Sequence, residues 1–357
     1  MIKNINKYLI ALQYKMRRSW LFSYPSSATF ELTNYCNLRC PVCDQQQVSS
    51  RKFGIMSYEN YVKIIDEIGP FLKNLGYSDT GEAFINKDIY KIISYTAKKF
   101  GDINTYMDTN GHFIDPEKLV MSGLGKISFS IDGLTQETYE AYRKKGTLKT
   151  VLANLEELIY YKKKMNSNLF IEIKFIVMKH NQHEIDRLIN YGNSIGIDNI
   201  RLETFTARAF EGKKYSEYNT LEMAKKYMSD IKQYAIYDID KSDQHKILHS
   251  FRVQNKQACY VPWSETEILY NGDVRPCVVD FDSEHSFGNI FESKSFFSVW
   301  NSAAAIKFRK THISEKFRYQ YESCATCMIT NYSDCAEARP RLNIKSTHKI
   351  ISINAIK

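Results

Sequence analysis

Eight cysteines fall in two groups along a chain of 357 residues: Cys36, Cys40 and Cys43, then Cys259, Cys277, Cys324, Cys327 and Cys335. Scatter would mark them as small core residues; clustering at C-x3-C-x2-C and C-x2-C spacing marks them as metal ligands. Zinc and iron–sulfur chemistry both suit thiolates. A structural zinc closes its tetrahedron with four protein ligands, whereas the first group offers three, and the nearest histidine in the sequence is the distant His112. A cubane also takes four ligands. Held by three cysteines, it keeps one iron open to a substrate or cofactor, which makes it a chemical site and not a staple.

Composition narrows the setting. With 43% hydrophobic and 25% charged residues the chain is globular, which excludes disordered, collagenous and low-complexity classes. Forty-nine Lys+Arg against 40 Asp+Glu give a formal charge of +9, a mild excess that admits an anionic substrate without calling for nucleic acid. No stretch reaches the ~18 apolar residues of a membrane span. The apolar run Tyr8–Leu12 is short for an export signal and leads into Lys15, Arg17 and Arg18. A cytoplasmic location is therefore expected, where disulfides are rare. Met1 to Phe22 can form a basic amphipathic helix with Leu9, Leu12, Met16 and Trp20 near one side. Packing against the barrel is expected of it, and membrane binding is not.

The ligands need a scaffold, which the hydrophobic period supplies. Ala28 to Thr33 reads as a strand running into Cys36, and Ser57 caps a helix with Tyr61, Ile64, Ile65 and Ile68 at helical spacing. Strands follow near Leu72 to Tyr77, Ile103 to Asp108, Lys126 to Ile131, Leu169 to Met178 and Asn199 to Thr204. Between and after them come helical segments: Asp88 to Lys99, one opened by Asp115, Pro116 and Glu117, Thr135 to Lys164 broken near Gly146, Glu184 to Ile195, and Thr220 to Tyr237. Six βα units imply an α/β fold with a parallel sheet and right-handed crossovers. They fall short of a closed eight-stranded barrel, so the expected core is a partial (β/α)6 TIM-like barrel.

The strands also carry a facial pattern. Ile171, Ile173, Phe175 and Val177 alternate with Glu172 and Lys174, and Ile127, Phe129 and Ile131 with Ser128, Ser130 and Asp132. Strands covered on both faces read as unbroken apolar runs. One face here is polar, and a barrel lumen lined by Glu, Lys, Ser, Asn and Asp is a pocket. Glu172, Lys174, Arg201 and Glu203 are its candidates for substrate contact and deprotonation.

The run Thr33-Asn34-Tyr35-Cys36-Asn37-Leu38-Arg39-Cys40-Pro41-Val42-Cys43 resembles the cluster loop of the radical SAM enzymes. The resemblance implies that Cys36, Cys40 and Cys43 hold a [4Fe–4S] cluster whose fourth iron is chelated by S-adenosylmethionine (SAM). Reductive cleavage of SAM would then yield a 5′-deoxyadenosyl radical that takes a hydrogen atom from a substrate. Further matches arrive in the family's order. Thr80-Gly81-Glu82 implies a contact from Glu82 to the SAM amino group. Thr109-Asn110-Gly111 follows the third strand and brings in Asn110. Ser130, followed by Ile131, Asp132 and Gly133, is implied at the ribose, with Asp132 beside it. Tyr142-Arg143 sets Arg143 toward the SAM carboxylate, and Val177, next to Ile176, falls on the adenine side. Two positions depart from the pattern: Val42 stands where an aromatic is usual, and Ala83 where proline follows Gly-Glu.

Beyond about Gln254 the βα rhythm stops. Glu267 to Tyr270, Asn271-Gly272 and Asp273 to Arg275 read as a hairpin with a two-residue turn. With Cys259, Pro262-Trp263, Cys277 and Cys324-x2-Cys327, the stretch resembles the SPASM/twitch extension of radical SAM enzymes. That implies one auxiliary [4Fe–4S] cluster at Cys259, Cys277, Cys324 and Cys327, with Cys335 either replacing one of these or standing as a thiol near the substrate. A zinc knuckle is the alternative. The expected organisation is an N-terminal helical segment (1–27), the radical SAM barrel (28–240), a small cysteine-rich SPASM/twitch domain (250–340) and a tail (341–357). The expected activity is hydrogen abstraction leading to net oxidation of a small polar or sugar-like molecule, with an electron donor such as flavodoxin or ferredoxin. The segment before Ala28 is short for a peptide-recognition domain, so a maturase of a ribosomally made peptide is the alternative. A non-catalytic zinc- or cluster-binding scaffold is the alternative of another class.

Overall fold

A computed structural model describes residues 1–43, 51–206, 210–211, 214–215, 217–235, 237–239, 247–249, 259–313, 324 and 349–352. Cys327 and Cys335 lie outside the described residues. The chain divides into two compact units. One comprises Met1–Tyr35, Ser50–Tyr106 and Val253–Leu342, and the other Cys36–Ser49, Met107–Arg252 and Asn343–Lys357.

In the first unit, β1 (Ser27–Phe30) has parallel neighbours on both sides, β2 (Asn74–Gly76) and the strand Glu265–Ile268, with Ala28 opposite Leu75 and Thr266. β2 continues onto the start of β3 (Asn104–Thr109), Asn74 facing Asn104. Asp273–Arg275 runs antiparallel to Glu265–Ile268, so the expected hairpin exists, but its turn differs. The Gly272 N–H donates to the Leu269 carbonyl at 2.9 Å and the Leu269 N–H to that of Asp273 at 2.9 Å. Tyr270 and Asn271 are thus the central residues, and Gly272 follows in the left-handed region at φ +90°, a longer loop closed by a glycine bulge. The helix Tyr58–Ile68 starts as its sequence indicates: Ser57 Oγ accepts the Asn60 N–H at 3.1 Å, and Tyr61, Ile64, Ile65 and Ile68 are buried.

Helix α1 (Ile2–Lys15) packs in an unexpected way. Its buried side chains include Asn6 and Gln13. Asn6 exchanges hydrogen bonds with the Tyr24 backbone at 2.9 and 3.0 Å, and Gln13 Oε1 accepts the Phe22 N–H at 2.6 Å. Leu12, Met16 and Trp20, expected to face the protein, are exposed.

In the second unit, β4 (Lys126–Ser130), β5 (Phe170–Val177) and β6 (Asn199–Thr204) are parallel, with Ser128 opposite Glu172 and Lys174 opposite Arg201. Ile127, Phe129, Ile171, Ile173 and Phe175 are fully buried, so the alternation read from the sequence separates a core face from a polar one. The helices Pro116–Ser122, Gln136–Tyr142, Leu148–Lys164 and Ile185–Ile195 follow their strands. Asp115 caps the first through the Lys118 N–H at 3.1 Å, and Gly196 ends the last at φ +76°. The final helix is shorter than expected. It spans Glu217–Tyr227, because Met228 bridges Met178 and the Asp230 N–H turns to Gln182 Oε1 at 2.9 Å. Lys349–Ser352, from the stretch expected as a tail, pairs antiparallel with β6.

Candidate active site

The loop Cys36 to Cys43 belongs to the second unit. Arg39 braces it, its guanidinium donating to the Cys36 and Leu38 carbonyls at 2.8 and 2.7 Å. Two N–H donors approach the sulfurs: Asn110 Nδ2 lies 3.8 Å from Cys36 Sγ and Arg143 Nη1 3.8 Å from Cys40 Sγ. Asn110 also donates to Asn37 Oδ1 at 2.7 Å. The glycine after it has a reason: at Gly111, φ is +80° and a Cβ would come within 2.9 Å of Val151 and 3.0 Å of Phe129.

His112, which could have completed a zinc site, is engaged elsewhere. Its Nε2 accepts the Thr147 N–H at 2.9 Å and its Nδ1 lies 3.0 Å from Asn110 Oδ1. Among the described residues no three Cys, His, Asp or Glu side chains converge on one ion. Three thiols with a guanidinium and an amide directed at their sulfurs fit an iron–sulfur cluster, whose potential such hydrogen bonds tune.

Arg143 is held from behind. Its Nε donates to Asp132 Oδ2 at 2.6 Å, and Asp132 Oδ1 accepts the Ile176 N–H at 2.7 Å. Burial disfavours the cation, but Asp132 and Cys40 outweigh it and hold the guanidinium pKa well above its ordinary value. Ser130 ends β4 and is buried, as are Asp132 and Asn110. Val177 is fully buried on the same face as Ile173 and Phe175, while Ile176 shares the other face with Glu172 and Lys174. Glu82 lies in the first unit, its N–H donating to the Tyr35 carbonyl at 2.7 Å and its Oε1 accepting the Phe84 N–H at 3.3 Å. Ala83 opens the 3-10 turn Ala83–Ile85. Proline is at home at a first helical position, so alanine there leaves the same turn available. Gly81 before it has φ +89° and no room for a Cβ, which would sit 2.5 Å from the Thr33 carbonyl.

The four sequence candidates on the polar face come together, joined by Asp108 at the end of β3. Lys174 Nζ lies 2.8 Å from Asp108 Oδ2 and 3.6 Å from Glu203. Arg201 pairs with Glu203 at 3.0 Å and with Glu172 at 2.9 Å. Glu172 is sealed, with 2% of its side chain exposed, and accepts from Asn199 at 2.6 Å and Ser128 at 2.9 Å. Asp108 stays 39% exposed. Burial pushes the Asp108 carboxyl up, but Lys174 and Arg201 outweigh it and hold it below its ordinary value. Burial likewise opposes the Lys174 ammonium, which Asp108 and Glu203 raise. Asp108 was visible only as a polar position in strand alternation.

A second charged cluster, in the first unit, escaped the sequence reading. Arg51 clamps Glu31 through two bonds of 2.8 and 2.6 Å, and Thr80 Oγ1 donates to the same carboxylate. Arg275 donates to Glu267 and to Asp79, each at 2.5 Å, and to the Asp280 carbonyl at 3.1 Å. Burial, together with Asp79 and Glu31, pushes the Glu267 carboxyl up to about 8 despite Arg275. The first unit also holds Cys259, Cys277 and Cys324. His312 Nε2 stands 3.5 Å from Cys324 Sγ, and its Nδ1 lies 2.9 Å from the Phe308 carbonyl. No local spacing announced this histidine.

Residues 30–192 match the radical SAM superfamily and residues 259–328 the SPASM iron–sulfur cluster-binding domain. The chain is a radical SAM enzyme with a C-terminal SPASM domain, and it works with a [4Fe–4S] cluster and SAM. The antilisterial bacteriocin subtilosin biosynthesis protein AlbA of Bacillus subtilis is 25% identical over 296 residues, 79% of this chain and 60% of AlbA, so less than two thirds of that relative is spanned. The tungsten-containing aldehyde ferredoxin oxidoreductase cofactor-modifying protein of Pyrococcus furiosus is 24% identical over 343 residues, 85% of this chain and 87% of that one. SuiB of Streptococcus suis shares the fold. Bound to SAM it superposes with a TM-score of 0.59 at 16% identity, over 91% of this chain and 75% of SuiB. Bound to the precursor peptide SuiA it gives 0.55 at 15%, over 85% and 70%. Among the described residues no helix is long and apolar enough to cross a membrane.

Proposed function

We propose that this enzyme oxidises a small polar, sugar-like substrate by two electrons; one auxiliary [4Fe–4S] cluster held in residues 250–340 would supply the acceptor for the second. The observation that carries the reading is the partly open cluster of Asp108, Lys174, Arg201 and Glu203 in the unit that also holds Cys36, Cys40 and Cys43. When bound, the first cluster and SAM supply the radical that removes a hydrogen atom. The protein's residues then have separate tasks. Arg143, fixed by Asp132, takes a SAM carboxylate, with Glu82, Asn110 and Ser130 as the remaining polar contacts and Ile176 as the apolar neighbour open to an adenine. Lys174 and Arg201 orient hydroxyl or carboxylate oxygens of the substrate. Glu203, between them, accepts the proton released as the substrate radical loses its electron. Glu172 is sealed and positions Arg201 rather than touching substrate. The auxiliary ligands are Cys259, Cys277, Cys324 and Cys327, with Cys335 as the exchangeable member.

A peptide substrate is the second reading, supported by the likeness to AlbA and to SuiB in its peptide-bound form. Iron and acid-labile sulfide after anaerobic reconstitution test the electron exit. About eight irons per chain, falling to about four in a Cys36/Cys40/Cys43→Ala variant, are expected. About four falling to none would remove the auxiliary cluster and the oxidation with it. Trials on polyols and on short peptides, each scored as one 5′-deoxyadenosine per oxidised molecule, separate the two substrate classes.

A further inference from the structure

Helix α1 buries Ile10 but leaves a second set of apolar residues uncovered. Ile5, Tyr8, Leu12 and Met16 recur at steps of three and four and so share one face. They are 52%, 70%, 39% and 54% exposed, and beyond the helix end the edge-to-face pair Trp20 and Phe22 is exposed at 42% and 71%. Single exposed apolar residues are ordinary; a contiguous row marks an interaction surface. The attachment of the helix makes the point sharper. Asn6 and Gln13 secure it to the backbone of Phe22 and Tyr24 by hydrogen bonds, with Ile10 buried between them, so the helix is held on that side and presents the row outward.

Charge identifies the occupant. Before Glu31 the sequence contains Lys3, Lys7, Lys15, Arg17 and Arg18 and no acidic residue. Lys3 pairs with Asp102 at 2.5 Å, while Lys7, Lys15, Arg17 and Arg18 are exposed. At 100° per residue, Lys15 borders the row on its Tyr8 side, and Lys7 lies further round the helix. Protruding apolar side chains on a single helix, flanked by Lys15 and followed in sequence by further exposed cations and two exposed aromatics, need a partner that yields to any shape and supplies negative charge. An acyl–headgroup boundary does both. We propose that α1 and the Trp20–Phe22 turn seat this enzyme on an anionic lipid surface, the apolar row in the boundary and the four exposed cations at the phosphates.

The chain carries its own probe. Of its three tryptophans, Trp263 and Trp300 are buried and Trp20 is exposed. The reconstituted full chain is mixed with phosphatidylcholine vesicles, pure or with about one third phosphatidylglycerol. Expected are co-sedimentation with the anionic vesicles, a blue shift of Trp20 emission, and release at high salt. A Tyr8→Ser/Met16→Ser/Phe22→Ser variant should partition at least about tenfold less, and a Lys7→Gln/Lys15→Gln/Arg18→Gln variant roughly tenfold less, both with unchanged melting. Absence of binding to either vesicle, or binding indifferent to the apolar variant, overturns the proposal. So does a concentration-dependent doubling of mass that the apolar variant abolishes, because a second copy would then cover the row.

Discussion

In the first unit Glu31, Asp79 and Glu267 face Arg51 and Arg275; in the second Asp108, Glu172 and Glu203 face Lys126, Lys174 and Arg201. The side chains are alike, and two properties separate the clusters. Carboxylates outnumber cations in the first, where no member has more than 9% of its side chain exposed; the second balances acid and base and leaves Asp108 and Lys174 partly open. A sealed cluster with excess acid has nothing to gain from a visiting ligand and much to lose from a missing cation. A balanced, half-open one can exchange an internal partner for a substrate group at little cost. Charge balance and exposure, more than residue type, divide the clamp from the pocket.

Breaking the clamp should have the largest effect. Arg275→Met leaves Asp79 and Glu267 buried without their guanidinium, and a loss of about 3–5 kcal/mol in urea unfolding is expected. A loss under about 1 kcal/mol would mean that water reaches the cluster and that the contrast with the pocket is false. The pocket should respond the other way. Lys174→Met removes a partly solvated ion pair, so its stability cost is small. Turnover of substrate should fall about 10²-fold, while slow 5′-deoxyadenosine formation without substrate continues. Loss of both together would move Lys174 from substrate to SAM.

The parts of this molecule that local chemistry determines were legible in the sequence. Ser57, Asp115 and Gly196 begin or end helices through bonds to neighbours within a turn, and the period-two alternation of β5 places Ile171, Ile173 and Phe175 in the core. Long-range partners were hidden. Asp79 and Arg275 meet across 196 positions, and nothing near either residue announces the other. The Asn271-Gly272 turn misled for the same reason: Asn289 reaches in from another strand to the Asn271 carbonyl at 2.9 Å and to Asp273 at 2.9 Å, favouring the longer loop. Around the first cysteine loop, Cys36, Cys40, Asn110, Asp132 and Arg143 lie together and all belong to the ordered motif series read from the sequence, whereas Asp108 carried only its alternation and His312 carried no signal.

The smallest effect distinguishes the clusters by proton. An ordinary glutamate ionises near 4.3, and Glu267 in the folded protein is pushed up to about 8 by burial and by Asp79. Between those values the native state keeps a proton that the unfolded chain has released, so stability falls as pH rises through this window. Asp108 and Glu172 are shifted the other way: burial is outweighed for Asp108 by Lys174 and for Glu172 by Asn199 and Arg201. Their contribution is present above the ordinary carboxylate range and is lost only as pH falls below it. The two clusters therefore titrate in separate windows. The melting temperature of the wild type should decline by several degrees from pH 5 to pH 8, and Glu267→Gln, which keeps the neutral shape, should flatten the decline. A Glu203→Gln variant, altered in the pocket, should retain it. If Glu267→Gln keeps the full slope, the clamp's excess charge resides on another carboxylate, Asp79 being the next candidate because burial raises it also.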